Sequence, residues 1–174
     1  MATLPQRVRD EHRELRVRIE VLRTLADSIG SADAESIREG VGQAYAFLIH
    51  QLIPHAQAEE QVFYPTVGRL LRALEATQTM SRDHLEVIRL TEELEALRLH
   101  VFYTPVSEAD ERALRRVLYG LYAIIKLHLA KEEEIYLPIL EARLAASEVD
   151  GLVQAMEGMV MEAKSSLSTI EPRE

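Results

Sequence analysis

The stretch His128-Leu129-Ala130-Lys131-Glu132-Glu133-Glu134-Ile135-Tyr136-Leu137-Pro138 decides the reading of this chain. It has a near copy upstream, His55-Ala56-Gln57-Ala58-Glu59-Glu60-Gln61-Val62-Phe63-Tyr64-Pro65. In both, a Glu stands four residues after the His, a second Glu follows it, and a Pro stands ten residues after the His. Four residues of an α-helix turn about 400°, so His and Glu project side by side from one face. An imidazole beside a carboxylate, present twice, makes a pair of metal-binding arms.

The copies belong to a larger repeat. His12 lies 43 residues before His55, and His84 lies 44 before His128. Arg9-Asp10-Glu11-His12-Arg13-Glu14-Leu15 also resembles Ser81-Arg82-Asp83-His84-Leu85-Glu86-Val87. The chain therefore reads as two helical hairpins, each with a His on its first helix and His-x-x-x-Glu on its second. An offset of 72 or 73 residues is too long for a solenoid unit and suits a duplicated helix pair.

Composition narrows the class. The chain has 174 residues, 47% of them hydrophobic and 28% charged, which fits one helix-rich domain with a proper core. The net charge is −9 and basic residues are scattered among acidic ones, so nucleic acid is not an expected partner. There is no Cys, which excludes disulfides, thiolate catalysis and Cys-ligated metal sites. The N-terminal residues lack the apolar core of a signal peptide, and no apolar run approaches the roughly 20 residues that span a bilayer. These features predict a soluble, cytoplasmic protein with no membrane partner.

Periodicity places five helices. The first starts near Thr3 or Pro5, carries Val8, His12, Leu15, Ile19, Leu22 and Ala26 inward, and stops at Gly30. The second is capped by Ser31 or Asp33 and places Ala44, Leu48, Leu52, His55 and Glu59 on one face, with a bend or break expected at Pro54. Pro65 ends or restarts it, with Leu70, Leu71 and Leu74 as its last apolar turns. A polar connection over Thr77–Ser81 leads to a third helix that ends near Val101, with His84, Val87, Ile88, Thr91 and Leu94 on its stripe. Phe102–Ser107 is the expected loop, and Ser107 with Asp110 forms a capping box. The fourth helix carries Leu114, Val117, Leu121, Ile124, Ile125, His128 and Glu132 and runs to about Ala146. A fifth, from Ser147 to about Leu167, is capped by Ser147 and amphipathic through Val149, Leu152, Val153, Met156, Met159, Val160 and Ala163, and Ser168–Glu174 fray. The fold class is all-α: an up-down four-helix bundle over residues 1–146, with 147–174 an additional helix and tail of the same domain.

A lone His on an apolar helix face is usually a satisfied boundary residue, and His50 and His100 take that reading. The set His12, His55, Glu59, His84, His128 and Glu132 differs because it is joint. Four inward His, one per helix, are hard to bury without partners. Each half supplies two His and one carboxylate, the donor set of non-haem iron sites with open positions. Six donors exceed what a single structural zinc needs and suit two cations bridged by the carboxylates. No Glu-x-x-His and no His-Glu-x-x-His occurs, so neither a ferritin-type nor a zincin motif is present. Glu60, Glu133 and Glu134 read as solvated face charges, the first two being the reserve ligands. Tyr64 and Tyr136 follow the ligands as candidate hydrogen-bonding or redox groups, with boundary packing their simpler role.

With these motifs the chain resembles the haemerythrin-like HHE cation-binding domain over about residues 8–140. That family carries His, then His-x-x-x-Glu, then His, then His with a following carboxylate, on four helices. The resemblance implies that His12 and His55 hold one iron, His84 and His128 the other, and that Glu59 and Glu132 bridge them. Oxygen-carrying members have a further His one turn along the third helix, where this chain has Ile88, and an Asp five residues after the last His, where it has Glu133. The implied site is more symmetric and one His poorer, leaving positions for water, peroxide or nitric oxide. The implied function is a non-haem di-iron protein that binds or senses oxygen or a related oxidant, or handles iron. Turnover of peroxide or nitric oxide is one alternative. A metal-stabilised regulatory bundle, with zinc or another divalent cation in place of iron and a partner or second copy on the fifth helix, is the other.

Overall fold

The structure, a computed structural model, describes residues 4–170. It contains five helical rods: α1 (Leu4–Ser28), α2 (residues 34–71), α3 (Gln78–Tyr103), α4 (residues 108–143) and α5 (Ala146–Ile170). The first four form an up-down bundle in which α1 packs on α2 and α4, and α3 packs on α2 and α4. α5 lies against α1 and against the 53–63 part of α2.

Local chemistry sets the boundaries. Gly30, at φ 103°, supplies the left-handed turn that ends α1. Of the two expected caps of α2, Asp33 serves, its carboxylate accepting from the Ser36 N–H. Ser107 and Asp110 form the expected capping box on α4. Thr3, expected near the start of α1, and residues 171–174, expected to fray, lie outside the described residues, as do the side chains of Val149, Val153 and Ala163 on α5.

Several boundaries differ from the periodic reading. Residues 74–77 form a short 3-10 turn, and α3 begins at Gln78, so Thr79 and Ser81 are helical rather than capping. α3 continues through Tyr103, past the expected end near Val101. Leu74 is 76% exposed and belongs to the turn, while Ile88 is 38% exposed at the edge of its stripe. α4 ends at Arg143, and the fifth helix runs from Ala146 to Ile170, so Ser147 lies inside it rather than capping it and residues 168–170 are helical rather than frayed.

The prolines neither break nor end α2 and α4. Each is preceded by one widened turn: Leu48–Leu52 before Pro54, Glu59–Phe63 before Pro65, and Glu132–Tyr136 before Pro138. In each, a backbone N–H reaches five residues back, Ile53 to Leu48, Tyr64 to Glu59 and Leu137 to Glu132. Proline lacks the N–H for an i−4 bond and its ring clashes with that carbonyl. Inserting one residue into the turn moves the carbonyl aside and keeps the rod continuous. Two of the three widened turns begin at Glu59 and Glu132.

The apolar core is split. A large cluster includes Leu15, Ile19, Leu22, Ile37, Val41, Leu94, Leu118, Leu121 and Ile125. A smaller one includes Val8, Phe63, Val67, Met80, Tyr136, Leu140 and, from α5, Met156. Along every bundle helix the candidate residues fall between the two: His12 between Val8 and Leu15, His55 and Glu59 between Leu52 and Phe63, His84 between Met80 and Val87, His128 and Glu132 between Ile125 and Tyr136. Each fully buried aliphatic side chain contributes about 1.5–3 kcal/mol, so the two clusters hold the rods in register around a polar layer that is costly to bury. Among the described residues, no helix is long and apolar enough to cross a membrane.

Candidate metal centre

His12, His55, Glu59, His84, His128 and Glu132 converge in that layer, and all six are buried. Each His directs Nε2 inward. His55 Nε2 lies 2.8 Å from Glu59 Oε1, the pair one turn apart on α2. His12 Nε2 lies 3.4 Å from Glu132 Oε2 and 3.8 Å from Glu59 Oε1. His84 Nε2 is 3.3 Å from Glu59 Oε2, and His128 Nε2 is 3.9 Å from the same oxygen and 3.6 Å from Glu132 Oε1. Two overlapping donor groups result, His12–His55–Glu59–Glu132 and Glu59–His84–His128, with the donor atoms of each group within 4.8 Å of one another.

Both carboxylates split their oxygens between the two His pairs. Glu59 turns Oε1 toward His12 and His55 and Oε2 toward His84 and His128. Glu132 turns Oε2 toward His12 and Oε1 toward His128.

The protein alone does not satisfy this layer. His12 Nε2, both oxygens of Glu59, Glu132 Oε2 and both ring nitrogens of His55 are buried without a hydrogen bond. Leaving such groups unmet costs about 1–3 kcal/mol each. His84 Nε2 and His128 Nε2 approach to 2.9 Å, a contact that needs either a proton between them or a cation across them. Imidazole and carboxylate donors with unmet lone pairs converging on one layer fit a divalent cation.

The electrostatics agree. Burial pulls the His128 imidazole down, but Asp83, Glu59 and Glu132 outweigh it and hold its pKa up at about 9. His55 is likewise lowered by burial and raised more by Glu59 and Glu11, ending well above its ordinary value. Burial raises Glu59, yet the surrounding imidazoles, His55 first, bring it well below the usual carboxylate range. Glu132 goes the other way, pushed well up by burial and by the Glu59 charge. Two buried carboxylates facing one another cannot both ionise freely without added positive charge.

The outer ring nitrogens also meet carboxylates. His12 Nδ1 is 3.2 Å from Glu133, His84 Nδ1 2.7 Å from Glu60, and His128 Nδ1 3.2 Å from Asp83. His55 Nδ1 is 3.2 Å from Glu11, a charge contact rather than an aligned hydrogen bond. Glu60 and Glu133 thus back the His ring instead of being merely solvated. Glu11 and Asp83 carried no separate signal beyond an acidic residue directly before the first His in both repeats. His50 and His100 stay on exposed faces, and neither joins the cluster.

The tyrosines part ways. Tyr64 donates to Glu132 Oε1 at 2.8 Å, lies 3.0 Å from His128 Nε2 and stacks on His84 with ring centroids 5.5 Å apart. Burial, then Glu59 and Glu132, raise its phenol strongly, so it stays protonated. Both tyrosines pack in the smaller apolar cluster, but Tyr136 donates to the Ala76 carbonyl and not to the His/Glu layer. A cavity of about 20 Å³, walled by Leu52, Ala56, Val87, Ile125 and Leu129, opens onto His55, Glu59, His84 and His128.

The family model of the hemerythrin HHE cation-binding domain matches residues 3–140, the span that contains the whole four-helix bundle but for its last turn and every residue of the His/Glu layer. No curated protein and no solved structure matches the chain. The chain belongs to the hemerythrin HHE cation-binding domain family.

Proposed function

We propose that the chain is a non-haem di-iron protein that binds or senses oxygen or a related small oxidant. His12 and His55 would hold one cation, His84 and His128 the other, with Glu59 and Glu132 between them. The observation that carries this reading is the split of both carboxylates, one oxygen toward each His pair. Bound iron would supply the redox chemistry. The chain's own residues hold the donors in place, exclude water through the two apolar clusters and offer the Tyr64 hydroxyl as a hydrogen-bond donor at the centre. The cavity beside the centre is about 20 Å³, and a site needs roughly 10–15 Å³ to take one water-sized guest. That size favours a diatomic molecule or peroxide over any larger substrate.

Metal analysis of protein prepared without air, followed by the visible spectrum before and after oxygen is admitted, tests this reading. About two irons per chain and an oxygen-dependent band are expected. Zinc or no metal with a featureless spectrum would move the assignment to a metal-stabilised or metal-free bundle.

A second reading, turnover of peroxide or nitric oxide, is favoured by the Tyr64 hydroxyl, a hydrogen-bond donor inside the layer. Catalytic consumption of either molecule by the iron-loaded protein, reduced in Tyr64→Phe, would support it. Stoichiometric binding without turnover would rule it out.

A further inference from the structure

We propose that Glu11, Glu60, Asp83 and Glu133 are positioning residues that lock the four imidazoles, and that Glu60 and Glu133 do so across the boundary between the two hairpins. This rests on the reading of the four His as cation donors.

The contacts repeat with the sequence. The residue before each hairpin's first His reaches that hairpin's own second His: Glu11 lies 3.2 Å from His55 and Asp83 3.2 Å from His128. The residue after each buried Glu reaches the first His of the other hairpin: Glu60 lies 2.7 Å from His84 and Glu133 3.2 Å from His12. At His12, His84 and His128 a carboxylate on Nδ1–H fixes the tautomer that leaves the Nε2 lone pair facing inward, while Glu11 holds His55 by a charge contact at its Nδ1. Because Glu60 and Glu133 cross between hairpins, His12 and His84 are aligned only once the hairpins have docked. Completion of the cation centre and assembly of the bundle become one event.

The two cross-hairpin clamps are unequal. Glu133 is itself held by Arg16, whose Nη2 lies 2.8 Å from Oε2. Arg16 stands four residues after His12, and the matching position after His84 is Ile88, so among the described residues Glu60 has no such guanidinium and is held by the Ser81 hydroxyl at 2.8 Å. An arginine draws on the charge of the carboxylate it binds, whereas a hydroxyl leaves most of it directed at the imidazole. His84 therefore depends on its clamp more than His12 does.

Anaerobic titration with cobalt(II), read by its visible ligand-field bands and by competition with a chelator, tests the proposal on the full chain. Glu60→Ala and Glu133→Ala are expected to weaken cobalt binding by about 10–100-fold, Glu60→Ala the more, with metal-free melting close to wild type. Glu60→Gln, which keeps shape and an acceptor, is expected to recover part of the loss while still shifting the bands. The exposed Glu134→Gln serves as control and should bind as wild type does. Cobalt binding that His84→Ala loses but Glu60→Ala and Glu133→Ala retain within about twofold would overturn the clamps and leave the centre standing. A wild-type chain that binds no cobalt would overturn both. Should an alanine variant fail to fold, Glu60→Gln decides by the same criterion.

Discussion

The Tyr64 hydroxyl donates a 2.8 Å hydrogen bond to Oε1 of Glu132, joining the second helix of one hairpin to the second helix of the other. In the repeat, the position matching Tyr64 is Leu137, so this bond has no counterpart and makes a nearly two-fold layer asymmetric. Removing the hydroxyl in Tyr64→Phe leaves a buried Glu132 oxygen without its donor and His128 Nε2 without its phenol contact. The metal-free protein is expected to lose about 1–3 kcal/mol of stability, read by urea unfolding. A loss below about 0.5 kcal/mol would mean that the hydroxyl is not holding Glu132.

Glu59 stands within 4 Å of all four imidazoles, at 2.8, 3.3, 3.8 and 3.9 Å. Glu59→Gln keeps its shape, removes the negative charge and places an amide donor where one oxygen was. Metal content of the reconstituted variant is expected to fall by at least half, without loss of helix content in far-ultraviolet circular dichroism. Full wild-type metal content would show that the carboxylate is not shared between the pairs.

Acid–base behaviour of the metal-free and loaded forms should diverge. His55 and His128 carry raised pKa values, so they hold protons in the folded state that the unfolded chain has already released near pH 6.5. Their contribution to stability is complete below about pH 6.5; that of His128 is lost as pH rises through about 9, and that of His55 is lost in the same direction through its own raised pKa. A cation needs those nitrogens unprotonated, so its affinity moves the opposite way and climbs over the same window. Displacing a proton from Glu132 acts in the same direction. Cobalt affinity measured across that window checks the sign, and a flat profile would contradict it.

Metal removal should destabilise the bundle as a whole, because the layer lies between its two apolar clusters. A cation at about 100 times its Kd adds roughly 2.7 kcal/mol. For a chain of this length that corresponds to a rise of about 5–10 °C in Tm. Calorimetry with and without iron under argon reads the difference. Coincident melting curves would mean that the layer is satisfied without a cation.

Much of this was legible in the sequence. The five rods, the inward His and the one-turn His–Glu pairs follow from helical period and from internal repetition. The widened turns were not legible as such: each proline announced a disturbance, but whether a helix breaks, bends or absorbs an extra residue depends on the packing around it. Glu11 and Asp83 escaped because a half-buried acidic residue beside the apolar stripe of a helix carries no periodic signal, and only the partner helix gives it a role. Tyr64 and Tyr136 looked alike in sequence yet occupy non-equivalent places. Tyr136 matches Phe63 in the repeat and shares its apolar cluster, while Tyr64 falls one residue later, against the polar layer.

The most direct measurement is iron per chain in wild type and in His84→Ala, reconstituted without air and followed spectroscopically as oxygen is admitted. About two irons and an oxygen-dependent absorption band are expected in wild type, with loss of iron and of the band in His84→Ala. Equal metal content in the two proteins, or a wild-type chain with no iron and no response to oxygen, would contradict the di-iron reading.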